Sequence, residues 1–118
     1  MESRIFEEEG VQCKPREVSN RFKASLFSIY DYTLETFGYF QAERYMQKIE
    51  QHIDSLPMRY TSYPECRYLA TKSRMYRNII LDSHIIIYRI TSERIEVLDI
   101  LHSKSSISKI RNVRSFRI

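Results

Sequence analysis

The sequence predicts an α+β domain in which an antiparallel two-helix hairpin packs on one face of a small, mainly antiparallel sheet, in the order β-α-α-β-β-β. Three observations predict it. Apolar residues recur at three- and four-residue steps on both sides of Gly38, the spacing of amphipathic helices. Three runs rich in β-branched and aromatic residues follow between Tyr76 and Lys104, the composition of strands. Only short polar breaks separate those runs, so neighbouring strands run antiparallel.

Each element has its own local signal. Residues 1–10 carry Glu2, Glu7, Glu8 and Glu9 and read as a flexible acidic tail. Val11 to Val18, interrupted by Pro15, suits an edge strand, where a missing amide donor does no harm. Ser19 or Asn20 can accept from the exposed amides of a first turn, which starts the first helix there. Phe22, Leu26, Ile29, Tyr30, Leu34 and Phe37 then share one face, and Gly38 supplies the terminator. Ala42, Tyr45, Met46, Ile49, Ile53 and Leu56 form the stripe of a second helix that Pro57 ends. So short a connection makes the two helices antiparallel. Met58 to Arg74 reads as a loop crossing the sheet edge. The three strand runs follow, and a basic tail over residues 104–118 closes the chain.

At 118 residues the chain is expected to form one domain with one modest core. No apolar run approaches the roughly 20 residues that cross a bilayer, and the acidic start does not resemble a signal peptide. A cytoplasmic protein without membrane contact is the expectation. Cys13 and Cys66 have neither a CxxC spacing nor a histidine cluster, and His52 and His84 have no carboxylate or cysteine at ligand spacing. No metal is expected. With only Gly10 and Gly38 in the chain there is no glycine-rich phosphate loop, so no nucleotide cofactor is expected either. The net charge of +4 is polarised. Residues 1–58 hold 7 Lys/Arg and 10 Asp/Glu, and residues 59–118 hold 12 and 5. That points to an acidic or nucleic-acid partner on the C-terminal side, or simply to solubility.

Strand periodicity sorts the sheet's side chains once a register is chosen. If the break at Thr91 to Arg94 closes a hairpin, Ile90 faces Ile95, Arg89 faces Glu96 and Tyr88 faces Val97. Ile86, Tyr88, Ile90, Ile95, Val97 and Leu101 then share the face expected under the helices, along with Asp99, which needs a partner there. Ile85, Ile87, Arg89, Glu96, Leu98, Ile100 and His102 share the other, and pairing the preceding strand through Asp82 to His84 adds Arg77, Ile79 and Leu81. Left open, this second face is an apolar patch of the kind that marks a partner site. The alternative is that Met58 to Arg74 or the C-terminal tail folds over it.

The Tyr76-Arg77, Ile87-Tyr88 and Ile100-Leu101-His102 signatures, following two amphipathic helices, resemble the RelE/ParE superfamily of type II toxin–antitoxin toxins over roughly residues 16–113. The resemblance implies a toxin neutralised by a cognate antitoxin, which alone contacts operator DNA and which docks on Ile79, Ile85, Ile87, Leu98 and Ile100. The ParE-like reading is inhibition of DNA gyrase or another protein, with Lys109, Arg111 and Arg114 free to reach that target or a nucleic acid. The alternative is a RelE-like ribonuclease that cuts messenger RNA on the ribosome, and a degenerate member acting only as a binding module is the third. Cleavage needs cations on the scissile phosphate and an acid–base pair, which Arg77, Arg89, His102 and Lys104 would supply. However, Ile85 stands where the ribonucleases carry an arginine clamp. Arg89 is about 13 Å further along the strand.

Overall fold

The computed structural model describes residues 12–118; the acidic tail expected over residues 1–10 lies outside the described residues. Strand β1 (Arg16–Val18) begins just after Pro15, whose carbonyl oxygen accepts from the Ile95 amide. Ser19 then caps helix α1 (Asn20–Phe37) through its Oγ, which accepts from the Phe22 amide at 2.9 Å. Gly38 breaks the helix at φ 92°, a backbone conformation that a side chain disfavours. Helix α2 (Tyr39–Arg59) follows at once. Pro57 falls inside its last turn and does not end it, and the Pro57 carbonyl oxygen accepts from the Lys14 amide.

Strands β2 (Tyr76–Ile80), β3 (His84–Ile90) and β4 (Ile95–His102) form the predicted meander. The sheet order is β1-β4-β3-β2, and β1 is an edge strand running parallel to β4. The β3–β4 hairpin has the expected pairs Ile90 with Ile95, Arg89 with Glu96 and Tyr88 with Val97.

Two local features change the faces. Between Ile87 and Tyr88 the register shifts, so that Ile87 pairs with Asp99 and Leu98 is the extra residue of a bulge. Beyond the bulge the alternation inverts. Ile100 joins the core beneath the helices and Leu101 joins the opposite core, the reverse of the sequence expectation. In the β2–β3 hairpin, His84 belongs to the strand, and the Leu81 amide donates to the His84 carbonyl oxygen around Asp82 and Ser83. That turn is one residue shorter than expected, which pairs Ile80 with Ile85 and Ile79 with Ile86. A one-residue slip exchanges faces. Ile79 and Leu81 consequently lie under the helices.

The sheet has a core on each side. Phe22, Ile49, Ile53 and Leu56 from the hairpin pack on Ile86, Tyr88, Ile95 and Val97. On the other side, Cys66 and Leu69 from the loop after α2 join Ile110 and Val113 to cover Ile87, Leu98 and Leu101. Leu69 belongs to a 3-10 turn (Arg67–Leu69), Ile110 to helix α3 (Ile107–Asn112), and Val113 to a second 3-10 turn (Val113–Ser115).

Candidate binding cleft

The second core closes the face that the sequence left open. Ile87 and Leu98 are fully buried beneath the chain's own C-terminal segment, and Ile85 packs against the same cluster. Ile79 and Ile100 are buried on the helix side. These five side chains form no docking surface: the turn and the bulge moved two of them, and the loop and tail covered the rest.

The ribonuclease candidates are not brought together either. Arg77 pairs with Tyr88 and Arg89 is the next residue on β3, so the two guanidiniums leave opposite faces. Arg77 donates to the carbonyl oxygens of Arg74, Thr61 and Tyr63, which fixes the turn after α2. Arg89 lies 2.6 Å from Glu96, to which Arg94 also donates, and reaches the carbonyl oxygens of Arg114 and Phe116. Burial works against the Glu96 charge, but the hydrogen bonds from Arg89 and Arg94 outweigh it and hold the carboxyl below its usual range. His102 pairs with His84, five residues from Arg89 along β3, or roughly 16 Å. Tyr88 is wholly buried with its hydroxyl on the Tyr60 carbonyl oxygen, and burial pushes that phenol far above its usual range. Lys104, Lys109, Arg111 and Arg114 are exposed.

A concavity lies at the opposite end of the sheet, where the hairpin meets the β2–β3 turn. A cleft of about 750 Å³ opens between Ile29, Tyr32 and Phe37 of α1, Arg44, Tyr45 and Lys48 of α2, and Asp82, His84 and His102 of the sheet. Helix α1 reaches past the sheet, and of its apolar stripe only Phe22 is buried. Tyr32, Phe37, Tyr39 and Phe40 stay 60–80% exposed around the hairpin's tip. On the cleft floor the Tyr45 hydroxyl meets His84 Nδ1 at 2.7 Å. The His84 and His102 rings meet edge to face, with centroids 5.6 Å apart. His102 Nδ1 accepts from the Lys104 amide at 3.0 Å. Burial, and then His102, lower the pKa of His84, while burial followed by Asp82 raises that of Tyr45. Lys48 lies 3.5 Å from Asp82 on an exposed rim.

Sequence reasoning missed this cleft. Its signal was present in the aromatic residues crowded around Gly38, more than two short stripes can bury against one small sheet. Among the described residues no group of histidine, cysteine and carboxylate side chains is placed to hold a metal ion.

A helical hairpin over a bulged four-stranded sheet, with an open cleft between them, defines a small α+β domain. Residues 17–107 match the family described as ParE toxin of type II toxin-antitoxin system, parDE, and the chain belongs to that family. It is a ParE-like toxin. The chain is 30% identical over 89 residues to Toxin ParE1 of Mycobacterium tuberculosis, strains CDC 1551 / Oshkosh and ATCC 25618 / H37Rv, across 74% of this chain and 87% of that protein. Its fold is similar to a chain of the structure titled Chromosomal ParDE TA system from P. aeruginosa, with a TM-score of 0.63 and 17% identity, covering 76% of this chain and 96% of that one. No helix of the described residues is long and apolar enough to cross a membrane.

Proposed function

We propose that this toxin acts by binding DNA gyrase or another protein target, and that a cognate antitoxin neutralises it by seating an amphipathic segment in the hairpin cleft. The observation that carries this reading is the exposed aromatic pair Tyr32 and Phe37 on the wall of that cleft, with Tyr39 and Phe40 also exposed at the hairpin's tip. Exposed aromatic surface of this kind is the usual anchor of a protein interface. The sheet face that would otherwise take an antitoxin is filled by the chain's own residues. The antitoxin's partnership is inferred from family membership, and so is the choice of gyrase. Dispersed arginines that hold loops together suit a binding role better than phosphodiester cleavage, for which a base, an acid and a phosphate clamp must converge.

Purified gyrase tests the target. Addition of the toxin should stop supercoiling and accumulate cleaved DNA, and undiminished supercoiling sinks the gyrase reading. Messenger RNA cut in a translating extract, with loss of cutting in His102→Ala, would instead establish the ribonuclease alternative. Tyr32→Glu and Phe37→Glu test the cleft, since both side chains line it and are exposed, so their replacement leaves the core intact. Each should weaken antitoxin capture at least tenfold with little change in thermal midpoint. Capture at full strength by both variants moves the antitoxin elsewhere.

A further inference from the structure

We infer that the layer covering the sheet's second face is a docking surface for the phosphate backbone of nucleic acid, bound without sequence preference. The layer is built from residues 64–75 and 103–118, which together hold eight lysines and arginines and one acid, Glu65. Glu65 is already engaged, with Arg74 Nε at 3.6 Å and the Thr71 amide at 3.0 Å. The hairpin layer on the other side of the sheet, residues 19–58, holds four basic and five acidic residues. The protein is therefore polarised across the thickness of its sheet.

Geometry makes this more than a charged tail. Ile110 and Val113 are buried and Phe116 is partly buried against the second core, so the segment is anchored along its length. Arg89 holds the carbonyl oxygens of Arg114 and Phe116, and the Arg21 guanidinium stacks on the Phe116 ring at 4.3 Å. With the apolar side chains turned inward, Lys104, Lys109, Arg111, Arg114 and Arg117 are left exposed. Among the described residues none of these five lies within 4 Å of a carboxylate. Four of them lie past residue 107, where the family match ends.

The absence of an apolar centre selects the partner. Protein interfaces concentrate apolar and aromatic side chains at their core and deplete charge there. On this segment the apolar residues of the middle are committed to the fold, and only Ile107 and Ile118, near its ends, are exposed. A surface of cations alone, mostly arginines whose planar forks suit phosphate oxygens, fits a polyanionic backbone. Polarised charge of this kind also raises the encounter rate with DNA.

Fluorescence anisotropy with a labelled 20-base-pair duplex of arbitrary sequence tests the inference on the full chain. Binding should be equal for two unrelated sequences and fall log-linearly with salt between 50 and 200 mM. Arg111→Gln/Arg114→Gln/Arg117→Gln should cut affinity at 50 mM salt at least tenfold and reduce the salt slope by about two to three, close to one per lost phosphate contact. The control Arg44→Gln/Lys48→Gln on the cleft side should bind as the parent does, and circular dichroism should show both variants folded. Absence of binding at 50 mM salt overturns the inference, as does a triple variant that binds like the parent. Displacement of the duplex by poly-glutamate at equal charge concentration also overturns it, and assigns the face to an acidic protein.

Discussion

Ser19 and Leu98, 79 residues apart in the chain, are joined by a 2.6 Å hydrogen bond from Ser19 Oγ to the Leu98 carbonyl oxygen. The same Oγ accepts from the Phe22 amide, and the Ser19 amide donates to the Val97 carbonyl oxygen. Leu98 is the extra residue of the β4 bulge, so the cap that starts α1 also satisfies the backbone where the strand pairing slips. Ser19→Ala removes the cap and strands a buried carbonyl, together a cost of about 2 kcal/mol. Urea unfolding measures it, and a loss under about 0.5 kcal/mol would show that water replaces both bonds.

Glu96 accepts from Arg89 and Arg94 at 2.7 and 2.9 Å, with only 10% of its side chain exposed. Its folded pKa is depressed, so the stability it contributes is present above its ordinary value of 4.5 and lost as pH falls through the folded value. Glu96→Gln should cost about 2–3 kcal/mol at pH 7, because it leaves Arg89 buried without its counter-charge. The gap between the two proteins should narrow on acidification below pH 4.5. A gap that stays constant down to pH 3 would show that packing, and not charge, holds this corner.

The β3–β4 hairpin was legible because Thr91 to Arg94 left a single sensible closure and Arg89 and Glu96 are natural cross-strand partners. Helix α1 was legible through Ser19 and Gly38. The bulge was not, because nothing in Val97-Leu98-Asp99 marks an extra residue; the side chain that meets its Leu98 carbonyl oxygen is the buried Ser19, contributed from the far end of the chain. The β2–β3 turn was misjudged by one residue because His84 reads as polar. It extends the strand because Tyr45 and His102 receive it. These two single-residue effects decide which face of the sheet Ile79, Ile100 and Leu101 occupy. The site was lost with them, since the patch sought on the sheet is sealed by loop residues and tail residues that have no strand or long-helix pattern.

His84 is held neutral by burial first and by His102 second, with Tyr45 on its Nδ1 and Asp82 and Lys48 on the rim of the same cleft. A depressed folded pKa means that the unfolded chain takes up the proton first as pH falls below 6.5. Stability contributed at neutral pH is then lost as pH falls below 6.5 and through the depressed folded value. His84→Gln should flatten that decline in urea midpoints, and an unchanged slope would assign it to other groups. A nuclear magnetic resonance titration of the wild-type ring should place its midpoint below that of a free histidine.

Asp99 is 3% exposed, and its Oδ1 accepts from the Ser25 hydroxyl at 2.7 Å and the Ile100 amide at 2.8 Å. Burial raises its pKa; those two bonds, and then Arg21 and Lys109, pull the other way without restoring the ordinary value. A raised folded pKa contributes stability below the unfolded value of 3.8, which is lost as pH rises through the folded value. At pH 7 the charge is therefore a cost that the acceptor geometry does not require. Asp99→Asn keeps an oxygen for both donors and should match or exceed the parent at pH 7, with any advantage fading below pH 4. Asp99→Ala removes the acceptor and should lose about 1–3 kcal/mol. If Asn destabilises as much as Ala, the carboxylate charge itself, through Arg21 and Lys109, anchors α1 to the end of β4.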